Sequence, residues 1–205
     1  MKVLLFGASG AIGQAIAAEL TNRGHETTAV ARSGSPTSSQ PVQAGDVTDP
    51  DTVTTLAPGH DAVVSAVSAS DPASLADAAS SLVRGLRETE VRRLLVVGGA
   101  GTLETEPGVR LMDTTGFPDQ FKHTAFAQAA ALAVLRTVKD IDWTYLSPAV
   151  VIKPGERTGR YRTSGDTLLT DTDGKSVITI PDFALALVDE LEQGTALRRR
   201  MSVAY

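Results

Sequence analysis

The chain contains no cysteine. That removes disulfides, thiol nucleophiles and thiolate metal sites. Histidine is nearly as scarce: His25, His60 and His123 are scattered and show no metal-ligand spacing. Positive charge is not in excess, since 19 Lys and Arg stand against 24 Asp and Glu. The net charge of −5 argues against a nucleic-acid surface, which needs clustered cations. No apolar run approaches the roughly 20 residues of a membrane-spanning helix. The first residues read as a strand with no signal-peptide pattern, so a cytoplasmic protein is expected.

What is present is enough for one core. Hydrophobic residues make up 42% of the 205, consistent with a single domain over 1–205. Short, near-continuous apolar runs alternate with longer amphipathic ones. "KVLLFG" (2–7), "ETTAVAR" (26–32), "VQAGDVTD" (42–49), "DAVVSAVSA" (61–69), "RRLLVVGGAG" (92–101), "DWTYLSPAVVI" (142–152) and "RMSVAY" (200–205) are predicted strands. Helices are predicted over 11–24, 51–59, 71–90, 117–140 and 181–194, the third with Asp71 as its N-cap. Polar "SGSPTSSQ" (33–40) reads as a loop. The arginine triplet at 198–200 reads as an exposed turn, and the polar, Arg-rich stretch 153–176 as a rim insertion. This alternation predicts an α/β fold: a Rossmann-like, doubly wound parallel sheet covered on both faces, with a small C-terminal lobe on the substrate side. Ligands of such sheets sit beyond the carboxyl ends of the strands.

The first strand runs directly into "GASGAIG", Gly7 to Gly13. Gly7 permits a tight turn, Gly10 lets a pyrophosphate approach the backbone, and Gly13 lets the next helix pack on the strand. The helix N-terminus adds free N–H groups and a partial positive charge. Strand, glycines and helix together point to a dinucleotide. Its type is set at the end of the second strand, where an acid would take a ribose 2′-hydroxyl and an Arg a 2′-phosphate. Arg32 and Ser33 stand there, so NADP(H) is expected in preference to NAD(H). Asp46 and Val47 follow the third strand and could flank an adenine; the alternative, helix capping, suits Asp49 better than Asp46. Small residues at 65–69 leave room for a ribose or nicotinamide.

"VLLFGASGAIGQAIAAEL", "VARS", "GDVTD", the small-residue exit of the fourth strand, "WTYLSPA" and the stretch from "PGERTGRYRTSGDT" to "DELE" together resemble the atypical short-chain dehydrogenase/reductases. Within them the chain is similar to the NmrA-like, NAD(P)H-binding branch that includes biliverdin reductase B-type flavin reductases. The resemblance covers nearly the whole chain. It implies that Gly7, Ser9, Gly10, Ala11 and Ile12 line the diphosphate, with Gly13 in the same turn. It implies Arg32 and Ser33 at the 2′-phosphate, Asp46 and Val47 at the adenine, and Ser65, Ala66 and Val67 along the ribose. Ser147, Pro148 and Ala149 would lie beside the nicotinamide carboxamide. Gly98, at the exit of the fifth strand, is counted with these cofactor positions.

The departure from the superfamily lies in its acid/base pair. Most short-chain dehydrogenases use Tyr-x-x-x-Lys, whose Lys lowers the Tyr pKa for proton exchange with a carbonyl or alcohol. Here Tyr145, Tyr161 and Tyr205 have no Lys four residues on, and the matching helix opens "DQFKHTAF". Gly98, Gly99 and Ala100 stand where a Ser or Thr is usual, with Thr102 the nearest hydroxyl. A ketone needs a proton during or soon after hydride transfer, whereas a reduced flavin or quinone is a delocalised anion that can take one from water. The chain is therefore expected to be a reductase of a small planar acceptor, with a flavin as one candidate substrate. A non-catalytic NADP(H)-binding sensor is the alternative, and a nucleotide-sugar epimerase or dehydratase the third reading.

Lys122, His123 and Thr102 are the candidate catalytic residues, and Phe121 and Tyr161 the candidate substrate residues. Each has a plainer alternative: Lys122 and His123 as exposed helix residues, Phe121 as core, and the rim cations Lys153, Arg157, Arg160 and Arg162 around Tyr161 as a solvated loop. The expected partner is a small-molecule substrate, with the chain a monomer or homodimer. No metal site is expected.

Overall fold

The computed structural model describes residues 1–32, 42–69 and 71–205. Along the chain the strands and helices are β1 (Lys2–Phe6), α1 (Ala11–Asn22), β2 (Glu26–Ala31), β3 (Val42–Ala44), α2 (Pro50–Leu56), β4 (Ala62–Ser65), α3 (Pro72–Arg87) and β5 (Arg93–Val97). They continue with β6 (Glu104–Glu106), β7 (Val109–Arg110), α4 (Lys122–Arg136), β8 (Asp142–Pro148), β9 (Val151–Lys153), β10 (Arg162–Ser164), β11 (Val177–Thr179), α5 (Ile180–Gln193) and β12 (Arg199–Ala204). The central sheet has the order β10-β12-β8-β5-β4-β1-β2-β3. All its pairings are parallel except β10 with β12.

The strands are apolar without alternation because both faces are covered. Val3 and Leu5 of β1 and Val64 of β4 meet Ile16 and Leu20 of α1 and Phe183 and Leu187 of α5 in one buried cluster. Leu4 and Phe6 face the other way, into a cluster with Leu82 and Leu86 of α3, Leu132 and Leu135 of α4, and Tyr145 of β8. The period-2 geometry of a strand thus feeds two cores from one sheet. The doubly wound α/β architecture expected from the sequence is the one observed.

Several boundaries differ. The predicted strand 142–152 divides into β8 and β9, and β9 leaves the main sheet to pair with β11. The predicted helix 117–140 begins only at Lys122, after a 3₁₀ turn over Asp119–Phe121. The stretch 153–176 is more than a rim loop: β10 adds an antiparallel edge strand beside β12. The arginine triplet is not an exposed turn, because β12 starts at Arg199 and Arg200 is buried. The predicted loop 33–40 lies outside the described residues.

Candidate functional site

The chain leaves β1 and turns at Gly7, whose φ is +81°. A Cβ there would lie 2.6 Å from the Ala66 carbonyl, so both conformation and space demand glycine. At Gly13 a Cβ would come within 2.1 Å of the Gly7 oxygen, which shows how closely α1 packs on the turn. Gly10 is different: a Cβ there would meet nothing nearer than 3.6 Å. Among the described residues no neighbour requires a glycine here, and the open space lies at the start of α1. Gly10 is the N-cap, with no side-chain cap and no acid in the first turn. The first-turn N–H groups are therefore free to face an anion.

This turn walls a cleft of about 430 Å³. Gly7, Ser9 and Gly10 line it from the turn, Arg32 from the exit of β2, Asp46 and Val47 from the exit of β3, and Ala66 and Val67 from the exit of β4. The structure thus gathers into one cleft residues that the sequence placed at four separate strand exits. Asp46 accepts at Oδ1 from the Thr48 N–H at 2.9 Å and the Thr48 hydroxyl at 2.8 Å. These bonds, with the nearby Arg32 guanidinium, hold its carboxyl below the usual range. Asp46 is therefore an ionised acceptor in the cleft. Ser33 lies outside the described residues.

Ser68 and Ala69, within the small-residue exit 65–69, also line the cleft, but sequence reasoning missed its far wall: Ser74, Leu75 and Ala78 on α3. The signal was available in Asp71, which accepts from the Ala73 N–H and so starts α3 directly after the β4 exit. Gly45 and Thr48, within the "GDVTD" exit, also line the cleft, though the sequence assigned them no role of their own.

Of the predicted diphosphate turn, three positions do not line it. Ala11 is exposed, Ile12 packs against the α1/α5 core, and Gly13 is buried under the turn. The cleft takes up the β1, β2, β3 and β4 exits, so the rest of a dinucleotide would run across β4, β5 and β8. On that side Ser65 and Ser147 are both buried, with hydroxyls that have no partner among the described residues. Pro148 ends β8, and Ala149 is buried beyond it. Two buried hydroxyls left unpaired suit a polar ligand, because an orphaned buried hydroxyl costs stability. A Cβ at Gly98 would lie 2.1 Å from Cε1 of Tyr145, so this glycine makes room for the tyrosine ring.

The candidate catalytic and substrate residues are not brought together. Phe121 is 53% exposed at the start of α4, beside exposed His123. Lys122 pairs with Asp119 at 2.7 Å. Thr102 is buried, and its hydroxyl and carbonyl oxygens both accept from Arg200. Tyr161 sits over the α1/α5 layer, where its hydroxyl donates to Asp189. Burial, then that carboxylate, push its pKa up, and Asp189 is tied in turn to Arg23 at the C-terminal end of α1. Among the rim cations, Arg157 pairs with Glu19 at 2.9 Å and Arg162 donates to the Thr170 carbonyl at 2.7 Å. Arg157 is therefore engaged in holding the lobe to α1, and Arg162 in bracing the lobe itself. The carboxylate that claims Arg157 lies on a distant element, 138 residues away in the chain.

A family model described as NAD(P)H-binding matches residues 7–193. Solved structures similar along the whole chain include the following. A putative exported protein from Burkholderia pseudomallei is 45% identical with a TM-score of 0.93, covering 100% of each chain. A putative NADH-flavin reductase from Streptococcus pneumoniae TIGR4 is 39% identical with a TM-score of 0.88, covering 100% of this chain and 99% of its own. A putative epimerase from Bacteroides thetaiotaomicron is 37% identical with a TM-score of 0.91, covering 100% of this chain and 96% of its own. Among the described residues no helix is long and apolar enough to cross a membrane.

Proposed function

The chain belongs to the NAD(P)H-binding family, of atypical short-chain dehydrogenase/reductase type, and from that premise we propose that it is an NADPH-dependent reductase of a small planar acceptor, flavin-like or quinone-like. The observation that carries the cofactor choice is Arg32 on the wall of the cleft, at a strand exit where an NAD-specific fold keeps an acid. The glycine turn and first turn of α1 would hold the diphosphate. Asp46 and Val47 would meet the adenine, and Ser147 the carboxamide.

When bound, a reduced nicotinamide supplies a hydride. The chain's own part is to hold ring and acceptor in contact and to keep water away, which lowers the barrier through orientation. The α4 corner offers Phe121, Lys122 and His123 and no phenol. That favours an acceptor whose reduced form is a stable anion and takes its proton from solvent. Lys122 and His123 are the residues we assign to attract such an anion. A cytoplasmic location fits an NADPH-linked reductase.

The test is NADPH oxidation with FMN, FAD and soluble quinones, followed at the reduced nicotinamide absorbance. Turnover well above the rate without protein, with NADPH preferred to NADH, supports the proposal. A second reading has its own support: the Thr102 hydroxyl and Lys122 are already engaged by Arg200 and Asp119. Tight NADPH binding with no turnover across the acceptors would favour that reading, an NADP(H)-binding sensor.

A further inference from the structure

Arg200 has no part in the reading above, yet it is only 4% exposed. It lies on β12 opposite Tyr145 of β8. Its Nη1 donates to the Thr102 carbonyl at 2.8 Å and to the Thr102 hydroxyl at 2.9 Å. Its Nη2 donates to the Asp166 carbonyl at 3.3 Å and pairs with the Asp166 carboxylate. Thr102 ends the 3₁₀ turn that follows β5, and Asp166 lies just after β10. The backbone continues the same joint: Glu104 N–H donates to the Asp166 carbonyl, and Leu168 N–H to the Glu104 carbonyl, both at 2.8 Å. One guanidinium therefore ties the β5 exit to the connection over 165–168.

Burying an arginine costs stability unless a carboxylate matches it. Arg93 is matched by Glu190, which is itself buried. Arg200 is served less well: Asp166 is half exposed and also takes Arg136 at 2.9 Å. An apolar side chain would fill the space at lower cost. What the planar guanidinium adds is a fixed fork that holds two segments in one register. One of the joined segments follows β5, whose exit lies between those of β4 and β8 in the sheet.

We propose that Arg200 is a positioning residue: it locks the β5-exit turn to the 165–168 connection, and the two together form the rigid wall against which the acceptor sits. Arg200 touches neither cofactor nor acceptor and acts through Thr102 and Asp166. The acceptor half of this inference rests on the reductase reading; the joint does not.

The test uses the full chain with Arg200→Met and Arg200→Lys. Three quantities are measured: amide hydrogen exchange, NADPH affinity by fluorescence, and kcat and KM with a soluble naphthoquinone. In Arg200→Met the amides of Glu104 and Leu168 are expected to exchange about tenfold faster or more, while β1 and β4 stay protected. NADPH affinity is expected to hold within about twofold, and kcat/KM for the quinone to fall about tenfold, chiefly in kcat. Lys keeps the charge but reaches one segment only, so Arg200→Lys recovers part of the loss; it also carries the same readouts if the Met variant does not fold. Unchanged exchange overturns the proposal. So does loosened exchange with wild-type kinetics, or a loss of NADPH affinity in step with activity. If the wild type binds NADPH but turns it over with none of FMN, FAD or the soluble quinones, the reductase reading falls, and exchange alone decides whether Arg200 locks the two segments.

Discussion

Alanine at Gly7 and at Gly10 separates folding from binding. At Gly7 the methyl group would meet the Ala66 carbonyl at 2.6 Å on a backbone with φ of +81°. Gly7→Ala is expected to lower unfolding free energy by about 2 kcal/mol or more, read in urea melts. Gly10→Ala has room, since the nearest atom would be 3.6 Å away. It should change stability by less than about 0.5 kcal/mol while weakening NADPH binding, because the methyl group would occupy the phosphate's approach. Arg32→Ala should raise the NADPH Kd about tenfold or more and leave NADH untouched, since a charge-assisted contact contributes about 1.5–3 kcal/mol. Equal effects on both cofactors would remove Arg32 from the 2′-phosphate. These three positions were legible because glycine spacing and a strand-end cation are local features. Thr102 and Tyr161 were not legible in this way: each bears a hydroxyl, and only Arg200 and Asp189, far along the chain, decide what it does.

Among the elements, α5 is anchored by more than its core face. Thr179 caps it, and buried Asp182 in its first turn accepts from Thr158 N–H at 3.1 Å, Thr158 hydroxyl at 2.7 Å, Gly159 N–H at 2.9 Å and Tyr205 hydroxyl at 2.6 Å. Burial alone would raise this carboxyl's pKa, but bonds from Tyr205, Thr158 and Gly159 outweigh it and hold the group below its ordinary range. A carboxyl depressed on folding stabilises the protein above its unfolded pKa of about 3.9 and loses that contribution as pH falls through the folded value. The urea midpoint should therefore drop on acidification below about pH 4. Asp182→Asn should flatten that drop and cost about 2 kcal/mol or more at neutral pH, since four donors lose their charged acceptor. An unchanged pH slope would show that other carboxyls carry the acid sensitivity. The long apolar elements were readable from their pattern. The pairs β6 with β7 and β9 with β11 were not, because strands of two or three residues carry no periodicity and exist only through their partners.

On the scale of the whole molecule, two cores share one sheet, so neither can melt while the other stays intact. Trp143 is the single tryptophan and is buried in the α3/α4 core. Its fluorescence and the far-ultraviolet circular dichroism should trace one coincident unfolding transition. NADPH at about a hundred times its Kd should add about 2.7 kcal/mol, a rise in Tm of about 5–10 °C for a chain of this length. No shift would contradict a preformed cleft. By itself the sequence determined the alternation of strands and helices, the glycine turn and the cation that follows β2, because each depends on residues adjacent in the chain. Only the tertiary structure decided that α3 closes the cleft, that 153–176 feeds a strand into the sheet, and that Arg200 is buried between Thr102 and Asp166. Those outcomes depend on which distant segments supply acceptors and carboxylates, and a hydrogen bond across such a separation leaves no trace in local spacing.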